Sequence, residues 1–416
     1  MRILLIAPMV PQAEGAGAIP LLLHSQVLGL HERHEVTLVA GMGDEPGEAE
    51  ARDALRQLGV DLHVADRRRP RSAVRRWRRR WRLAARWARG SWPWRTVWFA
   101  TPEVQATLDR LATRPFDIVA VEDSSMAVLR LPAGVPSVLT EHEVRRPRGV
   151  DWRAGPPRAW LRWALEEMDW QRWEGFQRGA WRRFDLLQTF TERDARAIAD
   201  LVPDVAPRVR VNPFGLAPPA PADPGSEDPD TVLFVGNFTH FPNRDAALWL
   251  AREIMPAVRA RRPGARLRIV GSAPPREVLE LAGRHVDVVA DPPSVQPHIE
   301  QASVVLAPVR TGGGMRMKIL HALASGKAVV TTSRGAEGYA APHCAPPFVV
   351  ADDAEGIAAA TAELLGDEQR RQALGRRARA FALEHHSAEA WVSRLEAVYD
   401  EARDARGVPR GRATAG

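Results

Sequence analysis

The chain has 416 residues, of which 45% are hydrophobic and 26% charged, with a formal net charge of +7 and one cysteine, Cys344. That length is too great for one ordinary core, so two or more domains are expected. A single cysteine excludes an internal disulfide and fits a reducing compartment. No stretch reaches the ~18 apolar residues of a spanning helix.

In chain order, Arg2-Ile-Leu-Leu-Ile-Ala7 is a continuous apolar run, which predicts a buried strand and not a signal peptide. A loop from Pro8 to Ala18 carries Gly15 and Gly17. A helix through Leu21 to Leu30 and a strand Glu35-Val-Thr-Leu-Val39 complete a βαβ unit. Further strands are expected at 117–121, 136–140 and the end of 183–188. A helix is expected at 192–201, and Val209 to Pro213 closes this half.

The stretch from Arg67 to Pro102 holds thirteen arginines and no Asp or Glu. Trp77, Trp81, Trp87, Trp92, Trp94 and Trp98 are interleaved with them. Trp77, Trp81, Ala84, Ala85 and Ala88 share one helical face. Such a helix suits an anionic membrane surface through residues 67–95, with Trp at headgroup level. It equally suits a Trp face packed on its own domain with solvated arginines. Nothing else in the chain looks like a nucleic-acid module, so no nucleic-acid partner is expected. A second Trp-rich stretch, 152–181, is mixed with acidic residues.

Residues 217–230 read APPAPADPGSEDPD, the clearest linker. The first pattern then returns. Strands are expected at 231–235, 266–270, 286–289, 303–307, 328–332 and 347–350. Helices are expected at 245–261, 354–365, 368–384 and 388–402, with a disordered tail at 403–416. The fold class is α/β: two doubly wound Rossmann-like domains facing a central cleft, with ligands at the carboxyl ends of the strands.

Both lysines of the chain, Lys318 and Lys327, fall in one segment, Gly312-Gly-Gly-Met-Arg-Met-Lys-Ile-Leu-His-Ala-Leu-Ala-Ser-Gly-Lys327. A glycine turn, the cations Arg316 and Lys318, and an apolar helix behind them make a phosphate site. The histidines lack zinc-ligand spacing and Asp352-Asp353 is a weak signal, so no metal is expected.

These pieces together resemble the retaining family 4 glycosyltransferases of the GT-B fold, in the branch associated with exopolysaccharide assembly. The markers are the Gly15/Gly17 loop with His34-Glu-Val-Thr37, Thr140-Glu-His-Glu-Val144, and Asn212-Pro-Phe-Gly215. Gly236-Asn-Phe with Pro242-Asn243, the Gly312–Leu320 segment with Gly326-Lys-Ala-Val-Val330, and Gly335-Ala-Glu-Gly338 complete the set. The resemblance implies an acceptor-side domain at 1–216, a linker at 217–230 and a donor domain at 231–385. It also implies a helix at about 386–402 that packs back on the first domain. The donor is a UDP- or GDP-sugar, the acceptor a glycan or lipid carrier, and no cofactor is needed. Arg316 and Lys318 would neutralise the diphosphate, with Gly15, Gly17, Gly236, Gly313, Gly314 and Met315 around the donor. His142 matches the family's active-site histidine; its structural alternative is a pairing with Glu141 or Glu143.

The family usually has a glutamate at the position of His321, on the donor ribose, and often an acid where Gly313 stands. A neutral imidazole accepts one hydrogen bond and cannot chelate two hydroxyls. A weaker donor site, a different nucleotide, or lost activity would each follow. The expected protein is a cytoplasmic glycosyltransferase, peripheral on the inner face of the membrane. The alternatives are an inactive donor-binding partner protein or another nucleotide-sugar enzyme on the same fold.

Overall fold

Strands of Val, Ile and Leu without polar alternation are covered on both faces, which requires helices on either side of a parallel sheet. The computed structural model, which describes residues 1–13, 18–45, 47–68, 72–144, 160–220, 224–339 and 344–407, has two such sheets. The chain divides into two compact units. One contains 1–13, 26–212 and 394–416, and the other contains 14–25 and 213–393.

In the first unit the strands are β1 (Arg2–Ala7), β2 (Glu35–Met42), β3 (Asp61–Asp66), β4 (Ile118–Glu122), β5 (Ser137–Glu141), β6 (Leu186–Thr189) and β7 (Val209–Val211). They pair in parallel in the order β3-β2-β1-β4-β5-β6-β7. The order reverses between β1 and β4, the place where doubly wound sheets bind ligands. Leu4, Ile6, Val119, Val121 and Leu139 sit in one core with Trp181 and Phe184. Strand β3, Asp-Leu-His-Val-Ala-Asp, was not expected; as an edge strand it tolerates the polar residues that mask its pattern.

Helices α1 (Ala18–His31), α2 (Glu48–Gln57), α3 (Ala73–Arg89), α4 (Trp94–Phe99), α5 (Pro102–Leu111), α6 (Trp160–Trp181) and α7 (Glu192–Leu201) connect these strands.

The second unit holds β8 (Thr231–Val235), β9 (Arg266–Gly271), β10 (Val286–Ala290), β11 (Val304–Ala307), β12 (Ala328–Thr331) and β13 (Val349–Val350), all parallel, in the order β10-β9-β8-β11-β12-β13. Its switch point lies between β8 and β11. Its core joins Val232, Phe234, Leu267, Ile269, Leu306 and Val330. The helix expected at 245–261 starts earlier, as α8 (Phe241–Trp249), and continues through a π-turn, Leu250–Ile254, into α9 (Met255–Arg261). Pro256 is the reason for the π-turn. It has no N–H to donate and its ring crowds the carbonyl of residue 252, so the turn before it widens.

Next come α10 (Arg276–Leu279), α11 (Gln296–Gln301), α12 (Met317–Ala324), α13 (Ala354–Gly366), α14 (Glu368–His386) and α15 (Ala388–Ala405). The last helix runs into the segment expected as a disordered tail, and Arg406 Nε donates to Asp185 at 2.7 Å. The rest of the expected tail, 408–416, lies outside the described residues.

Candidate functional site

In the first unit the register of β4 and β5 sets Glu122 beside Thr140, and His142 follows two residues later at the carboxyl edge. Glu122 is fully buried. Its Oε1 accepts from Gln26 Nε2 at 2.7 Å and Thr140 Oγ1 at 3.1 Å, and its Oε2 faces His142 Nε2 at 3.0 Å. The expected structural partner of this histidine was Glu141 or Glu143; the partner is Glu122, because the parallel register brings the β4 end within reach. Burial works to lower the His142 pKa, but Glu122, with Asp123 and Glu141 nearby, outweighs it and raises it. Glu122 thus fixes the His142 ring through Nε2.

Glu141 points into the core, where it accepts hydrogen bonds from Ser124 Oγ and, at 2.9 Å, from Trp181 Nε1. Burial, reinforced by Asp123, pushes its pKa up to about 7. Asp123 stands between these groups at φ 75°, ψ 131°, a strained conformation for a residue with a Cβ. Its carboxylate holds the strained turn, pairing with Arg95 at 2.7 Å and accepting from Ser125 N at 2.8 Å. This acid–base cluster was only half visible in the sequence. His142 and Glu141 lie in a recognisable motif, whereas Glu122, Asp123 and Arg95 carry no spacing signal and meet only through the fold. Among the described residues no three His, Cys, Asp or Glu side chains are arranged to hold a metal ion.

In the second unit the loops after β8 and β11 meet at the switch point. Gly236 follows β8, and a Cβ there would lie 3.1 Å from Asn243. Asn243 Nδ2 donates to Asn237 O at 2.7 Å, and Lys318 Nζ donates to Asn243 Oδ1 at 2.7 Å. Lys318 also lies 4.1 Å from the Phe234 ring centre. Burial, and then the nearby Arg316, hold Lys318 well below the usual ammonium range. Gly312 and Gly314 adopt φ of 89° and 73°, the left-handed region that glycine tolerates best. They turn the chain into α12. Arg316, at the N-cap of that helix, folds its guanidinium back onto the carbonyl of Gly313. Its own carbonyl accepts from Ile319 N at 2.9 Å and from the buried Tyr339 hydroxyl at 2.6 Å. Met315 is buried, so it offers a ligand only backbone. Gly335 permits the tight loop beneath: a Cβ there would lie 2.1 Å from Thr331 Oγ1.

His321 lies one turn into α12, partly buried. Burial lowers its pKa to about 4, so the ring is neutral at pH 7. Gly15 and Gly17 lie outside the described residues. Other singled-out residues prove structural. Lys327 is 2% exposed and pairs with Glu227 at 3.0 Å, so it does not join the Arg316/Lys318 cation site. Asn212 bonds Gln188 and Arg394 at 3.0 and 2.9 Å, and Asp352 and Asp353 hold Ser333 and the start of α13.

Residues 229–367 match the family described as Glycosyl transferases group 1, a span that includes the whole α12 site. An uncharacterized 44.6 kDa protein of the cps region of Klebsiella pneumoniae is 29% identical over 131 residues, 29% of this chain and 34% of that protein. A phosphatidyl-myo-inositol mannosyltransferase of Mycolicibacterium smegmatis is 33% identical over 148 residues, 34% of this chain and 37% of that protein. The chain thus spans about a third of the length of the curated relatives it matches. The crystal structure of HepE of Anabaena in complex with UDP superimposes with a TM-score of 0.66 at 13% identity, covering 96% of this chain and 100% of that one. At that identity the likeness is one of fold, and the fold is GT-B.

Proposed function

We propose that the protein transfers a sugar from a nucleoside diphosphate donor to a glycan or lipid-linked acceptor, with retention of anomeric configuration. The observation that carries this reading is the second unit's switch point. There a left-handed glycine turn opens α12 with Arg316 and Lys318, inside the span that matches the glycosyl transferases. Two cations and a helix start favour a diphosphate and offset the charge that develops on it as a leaving group. The UDP in the HepE structure supports a nucleotide donor, here UDP- or GDP-linked. The cps-region relative and the mannosyltransferase support surface-glycan assembly; a place at the cytoplasmic face of the membrane is part of the proposal. The donor-side residues are Gly236, Gly313, Gly314, Met315, Arg316, Lys318 and His321. In the first unit His142 takes the catalytic role, with Glu122 fixing the ring.

A second reading, a donor-binding protein without turnover, keeps one specific support: a neutral histidine stands at position 321. A thermal-shift panel of nucleoside diphosphates and nucleotide sugars tests the donor class. A matching ligand at about a hundredfold over its Kd adds ~2.7 kcal/mol of stability. A panel in which neither UDP nor GDP compounds raise the melting temperature contradicts both readings.

A further inference from the structure

Helix α3 has an apolar stripe that faces away from the protein. Val74, Trp77, Trp81, Ala84 and Ala88 recur at alternating spacings of three and four, so they line one face. All five are exposed; Val74, Trp77 and Trp81 are 60%, 61% and 59% accessible. The two indoles meet edge to face at 5.8 Å. The helix attaches to its unit through the opposite side. Trp87 Nε1 donates to Asp169 at 2.6 Å, Arg79 lies 5.2 Å from the Trp98 ring, and Arg86 lies 4.8 Å from the Trp92 ring. No residue of α3 is fully buried. Of the face expected from spacing, Trp77, Trp81, Ala84 and Ala88 are exposed and Ala85 is half-buried, and the helix packs through its other side.

We propose that α3 docks the protein on an anionic lipid bilayer, lying in the plane of the surface. Trp77 and Trp81 would sit at headgroup depth, where a ring with a polar N–H is placed best. Arg78 and Arg82 flank the stripe on one side and Arg76 and Arg80 on the other, so both edges meet lipid phosphate. Charge decides between lipid and a second copy of the chain. A copy would bring the same arginines against the same arginines, with no acid between Arg67 and Pro102 to offset them. An anionic surface complements both flanks. This inference needs no donor and stands apart from the proposed activity.

The test is co-sedimentation of the full chain with phosphatidylcholine vesicles, with and without phosphatidylglycerol. The expected result is binding only to the anionic vesicles and release near ~1 M salt, where charges are screened within about 3 Å. The double variant Trp77→Ser/Trp81→Ser keeps every charge. It should weaken vesicle binding by about tenfold or more, since two buried aromatic anchors are lost, while its melting temperature stays at the wild-type value. Unchanged vesicle binding by that variant would overturn the insertion, leaving only diffuse charge attraction. A lowered melting temperature would overturn the exposed placement of the rings. A dimer by analytical ultracentrifugation that the same variant dissolves would assign the face to a second copy.

Discussion

At the scale of single residues, the first unit hides a titration that sets its pH behaviour. Glu141 rises from an ordinary 4.5 to about 7. A carboxyl raised in the folded state holds its proton there while the unfolded chain has already lost it. Its contribution is complete below pH 4.5 and fades as pH climbs to about 7. The raised His142 acts in the same direction, its contribution fading as pH rises through its folded pKa. Glu141→Gln keeps an acceptor for Ser124 and Trp181 and cannot ionise. Urea denaturation of this variant should show a flatter fall between pH 5 and 8 and a gain over wild type at pH 8 of roughly 3 kcal/mol at most. An unchanged slope would place the titration elsewhere. His321 can be tested in the same way. On the proposed ribose role, His321→Glu supplies a charged acceptor and should tighten nucleoside binding by roughly tenfold, the value of one stronger hydrogen bond. Calorimetry showing no change for either His321→Glu or His321→Ala would remove this residue from the donor site.

Elements show where local pattern and tertiary need diverge. The acidic, Pro-rich run at 217–230 looks like solvated linker, yet Glu227 is an anchor. Its carboxylate takes Lys327 Nζ at 3.0 Å and Arg371 Nε at 3.1 Å, and these two partners are only 2% and 11% exposed. The pair is lopsided. Removing Lys327 leaves Glu227 with Arg371, whereas removing Glu227 strands a buried ammonium. Glu227→Ala should therefore cost ~3–5 kcal/mol and Lys327→Ala about 1–3 kcal/mol, read from denaturation midpoints. Equal losses would mean that Lys327 does not depend on Glu227. A close approach nearby was equally illegible: a Cβ at Gly375 of α14 would lie 2.0 Å from the Gly326 carbonyl. Only the packed α12–α14 pair shows why a glycine stands inside that helix.

At the scale of the molecule, the sequence carried most of the fold. Parallel, doubly covered strands leave continuous Val, Ile and Leu runs, and β1, β2, β4, β8 and β11 read directly. The polar edge strand β3 and the π-turn ahead of Pro256 did not, because an edge position and a displaced hydrogen-bond ladder leave no period to count. The site divides similarly. The α12 segment announces itself by glycines and cations in one run. The Glu122–His142 pair depends on the register of β4 against β5, which composition does not encode. We propose that the α12 turn binds a donor diphosphate for sugar transfer. The most direct test is release of nucleoside diphosphate from UDP- and GDP-sugars by the purified full chain, set against Arg316→Ala and Lys318→Ala. Turnover of at least one donor is expected, with kcat/KM reduced about tenfold to a hundredfold in each variant, since each charge-assisted phosphate contact is worth ~1.5–3 kcal/mol. Turnover that is equal in wild type and both variants, or no release from any donor, would contradict it.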